Sequence, residues 1–185
     1  MTLEVTCTGM ATGAPPDPCV MVIFGVLGDL ARHTLIPSLY ALGCQGLLPE
    51  PFAIVGFARH EWYDEAFRES MRNIVRRKKP FRETSWQKFA RSLSYVQGDF
   101  TSPASEAYAT LRETIIKLQA ARYIPDNILF HLSTPPSFYG EIAQKLAQAS
   151  LLQSNEGGRR LIIEKPFGSD EASARAGSPA PPADR

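Results

Sequence analysis

Gly25 and Gly28 stand three residues apart, directly behind the apolar run Cys19 to Phe24 and ahead of a segment with helical character. Glycines at such a place serve a defined purpose. A tight strand-to-helix turn needs backbone angles that side chains resist, and an anion can approach a glycine backbone closely. The amides that open a helix have no internal partner and carry the positive end of the helix dipole. Strand, glycine turn and helix start together make a phosphate site. The spacing is G-x-x-G-x-x-A, over Gly25, Val26, Leu27, Gly28, Asp29, Leu30 and Ala31. It departs from the G-x-G-x-x-G dinucleotide fingerprint, so spacing alone leaves an ordinary strand-to-helix turn as an alternative. Placement behind the first strand favours the phosphate reading.

A second candidate closes the next apolar run, Gly56-Phe57-Ala58-Arg59. An acidic residue there would hydrogen-bond a ribose 2′-hydroxyl and favour NAD. An arginine instead offers a planar, permanently charged fork to a 2′-phosphate. Arg59 thus points to NADP, with a plain surface arginine as the alternative.

These groups need a frame that brings strand ends together. Residues 19–24, 52–58, 94–97, 127–132 and 160–163 read as strands, the first two as apolar runs buried on both faces. Helices are expected over 28–43, 61–79, 85–91, 105–122 and 135–150, with a bend at Pro37. On the fourth helix Leu111, Ile115 and Leu118 share a face. The alternation predicts an α/β fold, a doubly wound parallel sheet of Rossmann type in a single domain. Its expected extent is 19–175. Residues 1–18 read as a flexible leader and 176–185, AGSPAPPADR, as a disordered Pro/Ala-rich tail.

Composition narrows the class. A hydrophobic content of 44% and a net charge of +1 suit a globular domain and offer no general surface for nucleic acid or anionic membrane. The basic cluster Arg76-Arg77-Lys78-Lys79 closes a helix, where cations complement the dipole. Cys7, Cys19 and Cys44 are odd in number and lack C-x-x-C spacing, which argues against a disulfide framework or a zinc site and fits a reducing cytoplasm. No signal peptide and no spanning segment of about 20 apolar residues is present.

Four segments, in order, resemble the glucose-6-phosphate dehydrogenase family: VIFGVLGDLARHTLIPSLYALGCQGLLPE, IVGFAR, LSTPPSFYGEIAQKL and LIIEKPFGSD. The likeness runs from about Val20 to Arg175. It implies NADP-dependent oxidation of glucose 6-phosphate to 6-phosphogluconolactone, the first step of the pentose phosphate pathway. By this resemblance Gly25 to Arg32 cradle the cofactor phosphates, Arg59 pairs with the 2′-phosphate, and Tyr139 lines the cofactor site. Lys165 lies between nicotinamide and sugar and contacts both; Pro166 sets a rigid turn, and Glu164 orients the lysine or caps the strand. Leu27 replaces the family's usual loop serine, which predicts weaker NADP binding.

The family's general base is a histidine backed by an aspartate, in an R-I-D-H-Y-L-G-K-type segment beyond E-K-P-F-G. No such segment occurs here. His33, His60 and His131 have no acid at motif spacing, and each is expected to be structural. No catalytic residue is therefore assigned. The glucose 6-phosphate site is expected to be incomplete and the family's subunit interface absent, with the chain inactive alone. An NADP-binding module without chemistry, or an inactive fragment, is the alternative.

Overall fold

The computed structural model describes residues 16–78, 80–101, 106–153 and 158–164. Lys79, Lys165, Pro166, most of the leader and the Pro/Ala-rich tail lie outside the described residues.

Five strands form one wholly parallel sheet: β1 (Cys19–Phe24), β2 (Phe52–Ala58), β3 (Leu93–Gln97), β4 (Ile128–Leu132) and β5 (Arg159–Ile163), in the order β3-β2-β1-β4-β5. Each crossover carries at least one helix, as parallel pairing requires. The helices are α1 (Ile36–Cys44), α2 (Asp64–Arg76), α3 (Glu83–Ala90), α4 (Glu106–Arg122) and α5 (Tyr139–Gln148).

Alternation along the strands builds two cores. Val20, Val22 and Phe24 of β1, with Val55 and Phe57 of β2, meet Leu111 and Ile115 of α4 and Ile142 and Leu146 of α5. Met21, Ile23 and Ile54 face the other way, onto Ile36 of α1, Phe67 and Met71 of α2 and Phe89 of α3. Burial on both faces explains why β1 and β2 read as unbroken apolar runs.

Proline chemistry shapes two helix starts. The first helix opens at Asp29, widens into a π-helical turn over Ala31–Leu35 and then continues as α1. The expected break at Pro37 takes this form, because a prolyl nitrogen cannot donate and its ring crowds the carbonyl four residues back. Ile36 donates instead to the Ala31 carbonyl, five residues back. Likewise Pro135 and Pro136 lead into a short 3₁₀ turn, Pro136–Phe138, ahead of α5. Helix α2 is shorter than 61–79: Tyr63 is extended, so the helix opens at Asp64.

Among the described residues β5 is an edge strand. Leu161 and Ile162 are 39% and 38% exposed, which leaves an apolar patch on the flank of the sheet.

Candidate functional site

The carboxyl ends of four strands are laced into one rim. Gly25 donates to the Phe57 carbonyl (2.9 Å), Ser133 to the Phe24 carbonyl (3.0 Å) and Gly98 to the Ala58 carbonyl (2.9 Å). Residues 25–28, 58–60, 98–101 and 133–134 therefore sit side by side. The chain runs outward from β1 through β2 and β3, then resumes on the other side with β4 and β5. This reversal is a topological switch point, where an open α/β sheet leaves a crevice for ligand.

The glycine turn is built as its spacing implied. Gly25 has φ +71°, and a Cβ there would lie 2.6 Å from the Ser133 carbonyl oxygen and 3.0 Å from the Thr134 methyl. Only glycine meets both demands. The Gly28 amide closes the turn onto the Gly25 carbonyl (2.8 Å), and the first helical bond runs from the Arg32 amide to the Gly28 carbonyl (3.0 Å). The amides of Asp29, Leu30 and Ala31 belong to the first helical turn, whose N–H groups have no acceptor within a helix.

The side chains of this segment divide the work. Val26 and Ala31 are fully buried, backbone included, so the accessible part of this segment is Gly25 and Leu27 to Leu30. Val26 packs inward over Gly56, where a Cβ would lie 2.8 Å from its methyl and 2.9 Å from Phe67. Leu27 is half-buried, while Gly28, Asp29 and Leu30 face solvent. Asp29 pairs at the surface with His33, 3.8 Å away. The Arg32 Nε is buried and meets no hydrogen-bond acceptor within the protein.

Thr134 was not singled out by sequence. It is 9% exposed, and its hydroxyl oxygen, like Arg32 Nε, has no partner in the protein. Buried polar groups are rarely left so. One orphan lies in the phosphate turn's own helix and the other on the residue touching Gly25, so both suit a polar ligand in the crevice. The backbone cradle and these two groups fit the pyrophosphate portion of a dinucleotide.

Arg59 is exposed, one residue past β2, on the rim strand bonded to Gly25 through Phe57. Its guanidinium lies near Asp99 at the end of β3. The Thr101 hydroxyl and amide, 2.7 and 2.8 Å from Asp99 Oδ1, hold that carboxyl below its usual range, with the Arg59 and Lys145 charges adding to the effect.

Tyr139 opens α5, its hydroxyl 3.5 Å from the Glu164 carbonyl at the end of β5. Lys165 follows immediately and is outside the described residues. His131 is 5% exposed in β4. Its Nδ1 is 3.0 Å from the Ser133 hydroxyl and its Nε2 3.3 Å from Glu164 Oε1. Burial pushes the imidazole below its usual range, against the opposing pull of Glu164. That acid is remote in sequence, so no motif spacing could have revealed the pairing. Among the described residues no cluster of His, Cys, Asp or Glu could hold a metal ion. No described helix is long and apolar enough to cross a membrane.

The family model "Glucose-6-phosphate dehydrogenase, NAD binding domain" matches residues 22–178. The chain belongs to the glucose-6-phosphate dehydrogenase family. It is similar to glucose-6-phosphate 1-dehydrogenase 2 of Mycobacterium tuberculosis (strain ATCC 25618 / H37Rv), at 42% identity over 162 residues, covering 85% of this chain and 31% of the relative. The glucose-6-phosphate 1-dehydrogenase of Bacillus subtilis (strain 168) is 35% identical over 167 residues, covering 90% of this chain and 33% of that one. A solved glucose-6-phosphate dehydrogenase in complex with its substrate glucose 6-phosphate superposes with a TM-score of 0.76 at 32% identity, over 89% of this chain and 34% of its own. The Mycobacterium avium glucose-6-phosphate 1-dehydrogenase gives 0.72 at 31% identity, over 87% and 32%. The chain therefore spans about a third of the length of these relatives. A nicotinamide dinucleotide is the cofactor class of this domain, and the crevice between β1 and β4 is where its fold places one.

Proposed function

We propose that residues 19–175 form the NADP-binding unit of a glucose-6-phosphate dehydrogenase. The reaction is oxidation of D-glucose 6-phosphate to 6-phospho-D-glucono-1,5-lactone, with NADP accepting the hydride. This chain's own part is to seat and orient the cofactor. The accessible backbone of Gly25 and of Leu27 to Leu30, with the Arg32 side chain, receives the pyrophosphate. Arg59 pairs with the 2′-phosphate. Tyr139 and Lys165 lie toward the nicotinamide, and Lys165 donates to sugar oxygens as well. The general base and most of the sugar site are assigned to parts of the family's length outside this chain, and no subunit interface is assigned here. The free thiols of Cys19 and Cys44 accord with a cytoplasmic setting. Neither nucleic acid nor membrane is assigned as a partner.

The observation that supports this reading is the bond from Gly25 to the Phe57 carbonyl, two residues before Arg59. Titration calorimetry with NADP and NAD tests it. NADP should bind more tightly, and Arg59→Ala should weaken NADP alone. A charge-assisted contact is worth about 1.5–3 kcal/mol, so the expected loss is about 10- to 150-fold. Equal affinity for both nucleotides would refute the 2′-phosphate role. Following NADPH formation with glucose 6-phosphate tests the division of labour: little or no turnover is expected from the 185 residues alone.

A further inference from the structure

We propose that Tyr95 is a positioning residue for the 2′-phosphate arginine, setting the preference for NADP over NAD through the backbone on either side of Arg59. The inference rests on the reading of Arg59 given above. Arg59 lies on the short turn between β2 and α2, with its side chain toward solvent. An exposed arginine on a loose turn would surrender much rotational freedom on gripping a phosphate, and that ordering subtracts directly from affinity. The turn is not loose. The Tyr95 hydroxyl shares its single proton between the His60 carbonyl (2.7 Å) and the Ala58 carbonyl (2.9 Å), the peptide oxygens on either side of Arg59.

The post that holds them is itself fixed. Tyr95 is 8% exposed in β3, its ring packed on Phe67 and Trp62 at centroid distances of 5.3 and 6.3 Å. Its amide donates to Asp64 Oδ1 (2.7 Å) at the start of α2. Arg68 grips the other oxygen of Asp64 (2.9 Å) and, through Nη2 and Nε, the Leu93 carbonyl (2.7 and 2.9 Å). Strand β3, the start of α2 and the turn carrying Arg59 thus form one hydrogen-bonded unit. Burial pushes the phenol up to about 12, so the hydroxyl keeps its proton and donates throughout the neutral range.

The hydroxyl can be removed without stranding the carbonyls. Ala58 also accepts from the Gly98 amide (2.9 Å), and His60 from the Trp62 amide (2.9 Å). Tyr95→Phe keeps the ring, leaves both oxygens bonded and frees only the clasp, so the variant should fold.

The test is a calorimetric cycle on the full chain: wild type, Tyr95→Phe, Arg59→Ala and the double variant, each titrated with NADP and with NAD. Tyr95→Phe should weaken NADP about 3- to 10-fold, the range expected for re-ordering one long side chain, and leave NAD unchanged. In the Arg59→Ala background the same substitution should have no further effect on NADP, because the residue it positions is gone. A general loss of packing would instead weaken both nucleotides and persist in the double variant, which would overturn the proposal. So would an unchanged NADP-to-NAD ratio in a wild type that prefers NADP, and that outcome leaves the Arg59 reading standing. A wild type with no preference removes the Arg59 reading and this proposal with it. If Tyr95→Phe does not fold, Asp64→Ala, which frees the amide anchor of Tyr95 but keeps the hydroxyl, should lower the ratio in the same direction. An unchanged ratio in that folded variant overturns the proposal equally.

Discussion

Gly25→Ala probes the glycine turn most directly, because the chain supplies its own control. Gly25 and Gly46 both hold left-handed angles, φ +71° and +70°. A side chain in that region costs about 1–2 kcal/mol at either site. The surroundings differ. Around Gly46 an added Cβ meets nothing within 4 Å, whereas at Gly25 it lies 2.6 Å from the Ser133 carbonyl oxygen. That oxygen is backbone just past β4 and cannot swing aside, so an overpacking cost of about 1–3 kcal/mol is added. The totals are about 2–5 kcal/mol for Gly25→Ala against about 1–2 kcal/mol for Gly46→Ala. A chain this long loses about 2–4 °C in Tm per kcal/mol. Thermal melts followed by circular dichroism should therefore show a fall of about 4–20 °C for Gly25→Ala and about 2–8 °C for Gly46→Ala. Dinucleotide binding should weaken only in the first. Equal melting temperatures in the two variants would refute the close approach of β4 to the turn.

Three further outcomes follow from the same geometry. Gly56→Ala should destabilise by about 1–3 kcal/mol through overpacking, since the new methyl meets Val26 and Phe67. Val26→Ala in the same chain should relieve part of that cost, and strict additivity in denaturant melts would argue against the packing of the turn onto β2. His131 has its folded pKa depressed, chiefly by burial, so the unfolded chain binds the extra proton first. Stability should be fully present above the unfolded value of about 6.5 and fall as pH drops below it, levelling off only under the folded pKa. Tm measured from pH 7.5 to 5 should lose this slope in His131→Asn, and identical slopes would exclude the imidazole as its source. Asp99 works in a lower window: its depressed pKa contributes stability that is lost as pH falls below the ordinary carboxylate value of about 3.9. With the melts extended to about pH 2, Asp99→Asn should flatten the acid limb, and an unaltered limb would show that Thr101 does not hold the carboxylate.

What could be read from the sequence was what depends on neighbours along the chain. Strand β2 was legible to the residue because burial on both faces leaves a continuous apolar run, FAIVGFA. The glycine turn was legible because left-handed backbone and close approach both select glycine. The π-helical turn was not, since Pro37 announces a disturbed helix without saying how the lost hydrogen bond is replaced. Thr134 was missed for another reason. Its importance lies in touching Gly25 from the bend after β4, more than a hundred residues later, with its hydroxyl finding no partner there, and neither fact leaves a local mark. The clasp of Tyr95 on Ala58 and His60, and the pairing of His131 with Glu164, are likewise products of strand order.

Strand order also decides between two concavities of the molecule. A groove of about 1220 Å³ lies at the amino-terminal edge of the sheet, lined by Pro18, Cys44, Pro51, Lys88, Phe89 and Arg122 among others. Its size would admit a nucleotide, but its electrostatics oppose one. Helices α1 and α4 end there, at Cys44 and Arg122, so the negative ends of their dipoles face the groove. Three cations line the groove: Lys88 pairs with Glu50, the Arg122 guanidinium donates to the carbonyls of Phe52 and Arg91, and Arg91 shares the lining with Asp17. At the opposite rim the first helix presents its positive end, with glycine backbone, two orphaned polar groups and Arg59 close by. Phosphate affinity follows the sign of the field, not the volume of the hole. A fold that reverses direction beside β1 brings the glycine turn, the start of the first helix and Arg59 together at the carboxyl edge of the sheet.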